Sequence, residues 1–282
     1  MSLASAPVVD LQVEQRPALQ RARGAGRIAV SVEGGRTRLR RLYQEGCGKI
    51  LLPIDRAARS LEAVAINTSG GLTGGDRMVW RAEAEAGAAL TVTTQACEKI
   101  YRARDGHAAV SVDLEIGAGA RIDWLPRETI LFDGGALSRT LEADLARNAC
   151  LLAVEAVVLG RTAMGETVRR GALRDRWRIR REGRLVFADD LRFEGPVADL
   201  AAGAPTLGGA AAFASLLLVA EDAQRLLNPV RAAIGASGGA SAFDGKLFAR
   251  IVAADGQALR AVLLPTIAIL RDGEPVPRIW RM

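Results

Sequence analysis

The chain has 282 residues, 49% of them hydrophobic and 25% charged, with a formal net charge of +6. That composition can bury a sizeable core in one large or two small domains, and it excludes a globally disordered chain. Only twelve residues are aromatic and only Lys49, Lys99 and Lys246 are lysines, so the core must be Ala, Val, Leu and Ile and the positive charge is almost all arginine.

Cys47, Cys97 and Cys150 are few, odd in number and far apart, with no C-x-x-C pair, which implies neither a zinc site nor a disulfide framework. Residues 1–15 lack the basic stretch and apolar run of a secretory signal. The longest apolar runs, Phe213 to Ala220 and Ala261 to Leu270, fall well short of the ~20 residues that span a bilayer. The expectation is a soluble, cytoplasmic protein with no membrane partner: an N-terminal arm over 1–24, one β-rich domain over 25–275 and a C-terminal tail over 276–282.

In chain order, Ile28 to Val32, the pair Gly34-Gly35 and Arg36 to Leu42 read as strand, turn, strand. A related unit then recurs. Val79 to Glu85 leads through Gly87 to Leu90–Thr94; Val110 to Ile116 leads through Gly119 to Ile122–Leu125; Leu141 to Leu145 leads through Asn148 to Leu151–Val154. Gly87, Gly119 and Asn148 lie 32 and 29 residues apart, and Gly and Asn best tolerate the left-handed backbone of such turns. A strand-built repeat near thirty residues predicts stacked, β-helix-like layers, although serial hairpins in a β-sandwich produce the same pattern. Arg176, Arg178 and Arg180 alternate along a further strand. They fit a solvated sheet face or a docking face for an acidic protein better than a nucleic-acid surface, because no aromatic stacking set accompanies them.

The last third changes character, and a small α/β block of two helices is expected over 206–275. Ala211 to Ala220 reads as an apolar strand. Glu221-Asp222 opens a helix with Leu226, Leu227, Val230 and Ile234 on one face and Pro229 as a kink. Gly235 to Ala240 reads as a flexible connection and Leu247 to Val252 as a strand. Asp255 caps a second helix carrying Leu259, Val262, Leu263, Ile267 and Leu270, with Pro265 inside it.

The segment Asn67 to Arg77 contains two glycine pairs, Gly70-Gly71 and Gly74-Gly75. Gly70 and Gly75 have the spacing of a phosphate-cradling loop, but the next residue is Asp76 where the Lys would stand. A carboxylate there repels a nucleotide and points to a cation or to a backbone forced into a tight turn. Polar segments follow each repeat and carry Glu98, Glu128 and Glu155; if the repeats stack, these carboxylates converge. Such a cluster can do acid/base work on a sugar, attract a metal cation, or pair with Arg77, Arg102, Arg127 and Arg161. His107 is the only histidine and sits in a turn expected to be exposed, and Cys97 is better read as a small buried residue than as a reactive thiolate. Oxygen ligands alone would hold a metal such as nickel weakly and exchangeably.

Taken together, Gly70-Gly-Leu-Thr-Gly-Gly-Asp76, Thr93-Thr-Gln95 with Lys99-Ile-Tyr-Arg102, Trp124-Leu-Pro126 with Glu128, Gly160-Arg161 with Gly165-Glu166, and Pro277-Arg-Ile-Trp280 resemble the urease accessory protein UreD (UreH) family, in order and spacing from about residue 25 to the end. The resemblance implies a non-enzymatic, mainly β scaffold of stacked strands with a few helices. It also implies binding to UreF, through it to the GTPase UreG, and docking on apo-urease, and leaves room for a homodimer within that complex. Nickel would be cargo in transit, with no tightly bound cofactor, along a water-filled tunnel whose acidic residues correspond to Asp76, Glu98, Glu155 and Asp189. At Glu98 the chain departs from the family, where a small hydroxyl residue is more usual. Gly70, Gly71, Gly74 and Gly75 would shape the loop. From the residues alone, a β-solenoid carbohydrate-active enzyme and a purely structural adaptor are the competing readings.

Overall fold

A computed structural model describes residues 20–53, 60–161 and 165–281; the expected N-terminal arm lies outside the described residues up to residue 19. The strands are β1 (Arg23–Glu33), β2 (Arg36–Gly46), β3 (Gly48–Leu51), β4 (Leu61–Asn67), β5 (Arg77–Ala84), β6 (Ala89–Thr94), β7 (Glu98–Ile100), β8 (Ala108–Ile116), β9 (Arg121–Leu125), β10 (Thr129–Leu131), β11 (Ala136–Leu145), β12 (Cys150–Leu159), β13 (Gly171–Arg181), β14 (Arg184–Gly195), β15 (Ala212–Val219), β16 (Gly238–Phe243) and β17 (Lys246–Ala253). The helices are α1 (Val197–Ala202), α2 (Leu227–Ile234) and α3 (Gly256–Leu270). Sheet A runs β14-β13-β11-β8-β5-β1-β2, and sheet B runs β16-β17-β15-β12-β9-β6-β4-β3, with β10 beside β12 and β7 beside β10.

The three repeats stack. β5, β8 and β11 are parallel neighbours in sheet A, and β6, β9 and β12 are parallel neighbours in sheet B. Serial hairpins would have paired them antiparallel. The register reproduces the sequence period: Arg77 faces Ala109, a step of 32, and Ala108 faces Leu137, a step of 29. At each corner the turn residue is left-handed, with φ of 73° at Gly87, 64° at Gly119 and 56° at Asn148. The short β7, β10 and the end of β12 pair in parallel as a third side, giving a solenoid of about four turns. Alternation aims the core inward: along β11, Leu137, Leu141, Ala143 and Leu145 are buried while Ser138, Thr140 and Glu142 are half-exposed on the outer face.

The strands of the C-terminal block are antiparallel continuations of sheet B, with β15 pairing both β12 and β17. Two details of the block differ from the expectation. The Gly235–Ala240 connection includes the start of a strand, β16, whose Gly-Gly-Ala-Ser start has too little alternation to announce itself; pairing with β17 supplies its order. Pro229 does not kink a helix. It falls in the first turn of α2, where its missing N–H has no intrahelical acceptor to lose, and the preceding Ala223–Leu226 is a separate 3₁₀ turn. The remaining expectations hold. Every residue of β15 is buried, because helices cover the face that the solenoid does not. Asp255 caps α3 by accepting the Ala258 N–H at 2.8 Å, and α3 runs through Pro265 while burying Leu259, Leu263, Ile267 and Leu270. Leu125, Leu152, Val154, Leu216 and Leu218 face these helices, whereas Leu151, Ala153 and Leu217 face the solenoid interior. His107 is half-buried rather than exposed, and its Nε2 is shielded with no hydrogen-bond partner among the described residues.

Candidate functional site

Stacking brings the polar segments together at a constant offset. Hydrogen bonds 31 residues apart link Asn67 to Glu98, Cys97 to Glu128, Arg102 to Asp133 and Trp124 to Glu155. Of the three glutamates expected to converge, Glu98 and Glu155 line one internal cavity of about 40 Å³, together with Trp80, Thr94, Trp124, Arg127, Thr129 and Arg139. That volume holds roughly two waters. Glu128 is buried beside it but turned away, 3.2 Å from Arg127 Nε and 3.5 Å from Arg260 Nε.

Glu155 is 2% exposed. Its Oε1 accepts the Trp124 indole N–H at 2.9 Å and its Oε2 lies 2.5 Å from Arg139 Nη1. Arg139 also donates to both oxygens of Asp175, at 3.2 and 2.6 Å, and to Thr129 Oγ1 at 3.1 Å. The Trp177 indole adds a bond to Asp175 at 3.2 Å. Burial opposes the Arg139 charge, but Asp175 and Glu155 outweigh it and hold the guanidinium protonated above its ordinary range. Burial pushes the Glu155 carboxyl up, against the pull of Arg139, with Asp175 adding repulsion. Glu98 is half-buried and burial raises it to about 7, although the Asn67 amide donates to both its oxygens at 3.1 and 3.2 Å. The cluster therefore sets one arginine against Glu155 and Asp175, with Glu98 a further carboxylate on the same cavity.

Sequence reading missed Arg139, Asp175 and Trp177. A signal was present: Arg139 sits in phase with Leu137 and Leu141, and Asp175 in phase with Leu173 and Trp177, so both occupy inward positions of alternating strands. Parallel register then sets Arg139 directly opposite Asp175.

Asp76 does not line this cavity. Its Oδ1 accepts the Ala22 N–H and its Oδ2 the Thr73 N–H, both at 2.8 Å. The carboxylate fastens the glycine loop to the segment entering β1. The glycines serve the same packing: a Cβ on Gly71 would come within 2.4 Å of the Tyr101 ring, and one on Gly74 within 2.1 Å of the Asp105 carbonyl. Gly70 and Gly75 have left-handed φ of 78° and 90°.

A family profile described as UreD urease accessory protein matches residues 22–281. Urease accessory protein UreD of Rhizobium leguminosarum bv. viciae is 57% identical over 264 residues, 93% of this chain and 96% of that protein. Those of Agrobacterium fabrum and Chelativorans sp. are 54% and 51% identical, over 93% and 95% of this chain and 92% and 98% of theirs. The chain belongs to the UreD urease accessory protein family. Membership assigns it an accessory, non-catalytic role in urease maturation, a role that brings it into contact with urease and the other accessory proteins.

Other charged and thiol side chains of the chain are engaged within the fold. Asp189 does not reach the cavity; both its oxygens accept from Arg250 Nη2 at 2.7 Å, tying β14 to β17. The β13 arginines are matched on the sheet surface, Arg174 by Glu194, Arg178 by Asp190, and Arg176 and Arg180 by Glu142. The Cys97 thiol donates to Glu128 at 3.4 Å, and burial, reinforced by that carboxylate, raises it to about 11, so it is no thiolate at neutral pH. Among the described residues no three His, Cys, Asp or Glu side chains gather into a group able to hold a metal ion, and no helix is long and apolar enough to cross a membrane.

Proposed function

We propose that this protein helps deliver nickel to apo-urease in the cytoplasm, in complex with UreF and through it the GTPase UreG, and that Glu98 and Glu155 form part of the internal route. The observation that carries the reading is the pair of carboxylates, Glu98 and Glu155, on one water-sized cavity between the stacked sheets, where Arg139 is shared between Glu155 and Asp175. A cation passing there meets oxygen ligands a few at a time and exchanges readily. Asp76 and Asp189, each with its oxygens engaged, hold the loop and the sheet ends in shape. A carbohydrate-active site is disfavoured, since the family is one of accessory proteins with a non-catalytic role.

The test is activation of apo-urease at limiting nickel by the reconstituted accessory proteins. Omitting this protein is expected to leave urease present but nickel-poor; full activation without it would overturn the delivery role. Changing Glu98 and Glu155 together to Gln is expected to slow activation while the complex still co-purifies. Wild-type activation by that variant would remove the route and leave a structural adaptor.

A further inference from the structure

The geometry points to the free edge of β2 as a docking edge for an extended acidic segment of another protein, added as a further strand of sheet A. Among the described residues β2, eleven residues long, pairs only with β1, and nine of the eleven are exposed. An edge of that length presents a row of unsatisfied N–H and C=O groups, which proteins normally blunt by shortening, proline or cover. The two edges of sheet B are shorter, at four residues in β3 and six in β16. The other long edge, β14, is tied across to sheet B by Asp189–Arg250 and by the Phe187–Phe248 ring contact, and its Arg192 is paired with Glu194. Among the described residues β2 is held firmly and no element covers its outer edge. Thr37 Oγ1 accepts the Ala89 N–H at 3.0 Å and Gln44 Oε1 accepts the Ile50 N–H at 2.9 Å, so its register is fixed before anything binds.

Charge selects the occupant. Among the described residues the side chains of Arg36, Arg38 and Arg41 make no hydrogen bond or ion pair, while Arg40 is matched by Glu85. Leu39 and Tyr43, 39% and 44% exposed, lie between and beside them. A strand alternating acidic and apolar residues satisfies the backbone edge, setting its acids on the face of Arg36, Arg38 and Arg41 and its apolar residues on the face of Leu39. A second copy of this chain does not, because pairing two β2 edges would bring their unmatched arginines into one interface.

Hydrogen exchange on the full chain tests the assignment, with a synthetic peptide of alternating valine and glutamate as the probe and one of alternating valine and lysine as control. The acidic peptide is expected to slow exchange of β2 edge amides and the basic one to leave them unchanged. Arg38→Glu with Arg41→Glu, both exposed, should keep the native melting profile and weaken acidic-peptide binding by roughly tenfold or more. Higher salt should weaken binding to the wild type as well. No protection of β2, equal binding of both peptides, or β2 protection that appears only with concentration-dependent dimerisation would overturn the proposal. The experiment contains no nickel, so its outcome is separate from that of the delivery role.

Discussion

Sheet B has a buried arginine on either side, and the two are balanced differently. On the solenoid side Arg139, 4% exposed, faces Glu155 and Asp175. On the helix side Arg271, 7% exposed, lies 3.1 Å from Asp123 and 3.4 Å from Glu274, and Arg121 Nε lies 2.7 Å from Asp123. The second cluster sets two cations against two anions, and its Arg121 also donates to the Leu270 carbonyl at the end of α3; it pins a helix. The first is one cation short, and its Glu155 and Arg139 open onto the cavity. Buried charge is costly unless matched, so the unbalanced cluster is the one whose excess calls for a function. A carboxyl that burial holds toward its neutral form beside water becomes an oxygen ligand when a divalent cation displaces its proton.

The largest expected effects fall on the cations. Arg139→Met strands Glu155 and Asp175 together in the interior and should cost about 3–5 kcal/mol, read as a lowered urea midpoint at unchanged slope. Arg271→Met leaves acids that Arg121 still partly serves, and should cost less. Equal losses would break the comparison. Asp123→Asn removes the anion between two arginines and should cost about 2–3 kcal/mol by the same measurement. A neutral result there would show that solvent near Glu274, not Asp123, balances the helix-side cluster.

The architecture was legible because its signals are local and repeated: Gly87, Gly119 and Asn148 mark the corners, and their spacing is the register itself. Alternation could not say whether successive strands would hairpin or stack, and hydrogen bonding between coils decided that. The carboxylates were visible as residue types, yet Asp76, Glu98, Glu128, Glu155 and Asp189 separate only by which partners surround them. Asp76 is occupied by backbone N–H groups of Ala22 and Thr73, and Asp189 by Arg250, 61 residues away. Neither distance can be read from spacing. Arg139 and Asp175 were readable in principle, as charges in the inward phase of β11 and β13, but only once the face toward the core was known. The strand β16 was hidden because its pairing with β17 supplies order that its own glycine-rich start does not.

Glu98 offers a smaller, pH-dependent test of the unbalanced side. Its carboxyl titrates near 7 in the fold, raised mainly by burial, and at about 4.3 when unfolded. The native state therefore holds a proton that the unfolded state has lost between those values. Its contribution to stability is complete below the lower value and is lost as the pH rises toward 7. Glu98→Gln should gain on the wild type by about 1–2 kcal/mol at pH 8 and show no gain at pH 4, because solvent access to the half-buried group limits the effect. A pH-independent difference between the two proteins would place Glu98 in water rather than on the cavity wall.

The smallest stability change is expected at Glu155→Gln, and its size is what distinguishes the two clusters. The amide oxygen can accept from Trp124 or from Arg139 but not from both, which costs about 1 kcal/mol. Removing the surplus anion relieves its repulsion with Asp175 and leaves Arg139 and Asp175 as a neutral pair, which offsets that loss. The net change in the urea midpoint should correspond to no more than about 1 kcal/mol, against the larger loss at Asp123→Asn. Nickel-limited urease activation should nevertheless fall, because the amide offers one neutral oxygen where the carboxylate offers two that can ligate a cation. A loss of stability as large as that of Asp123→Asn would mean that Glu155 is needed to balance Arg139, and the inner cluster would then be a structural pin like the outer one.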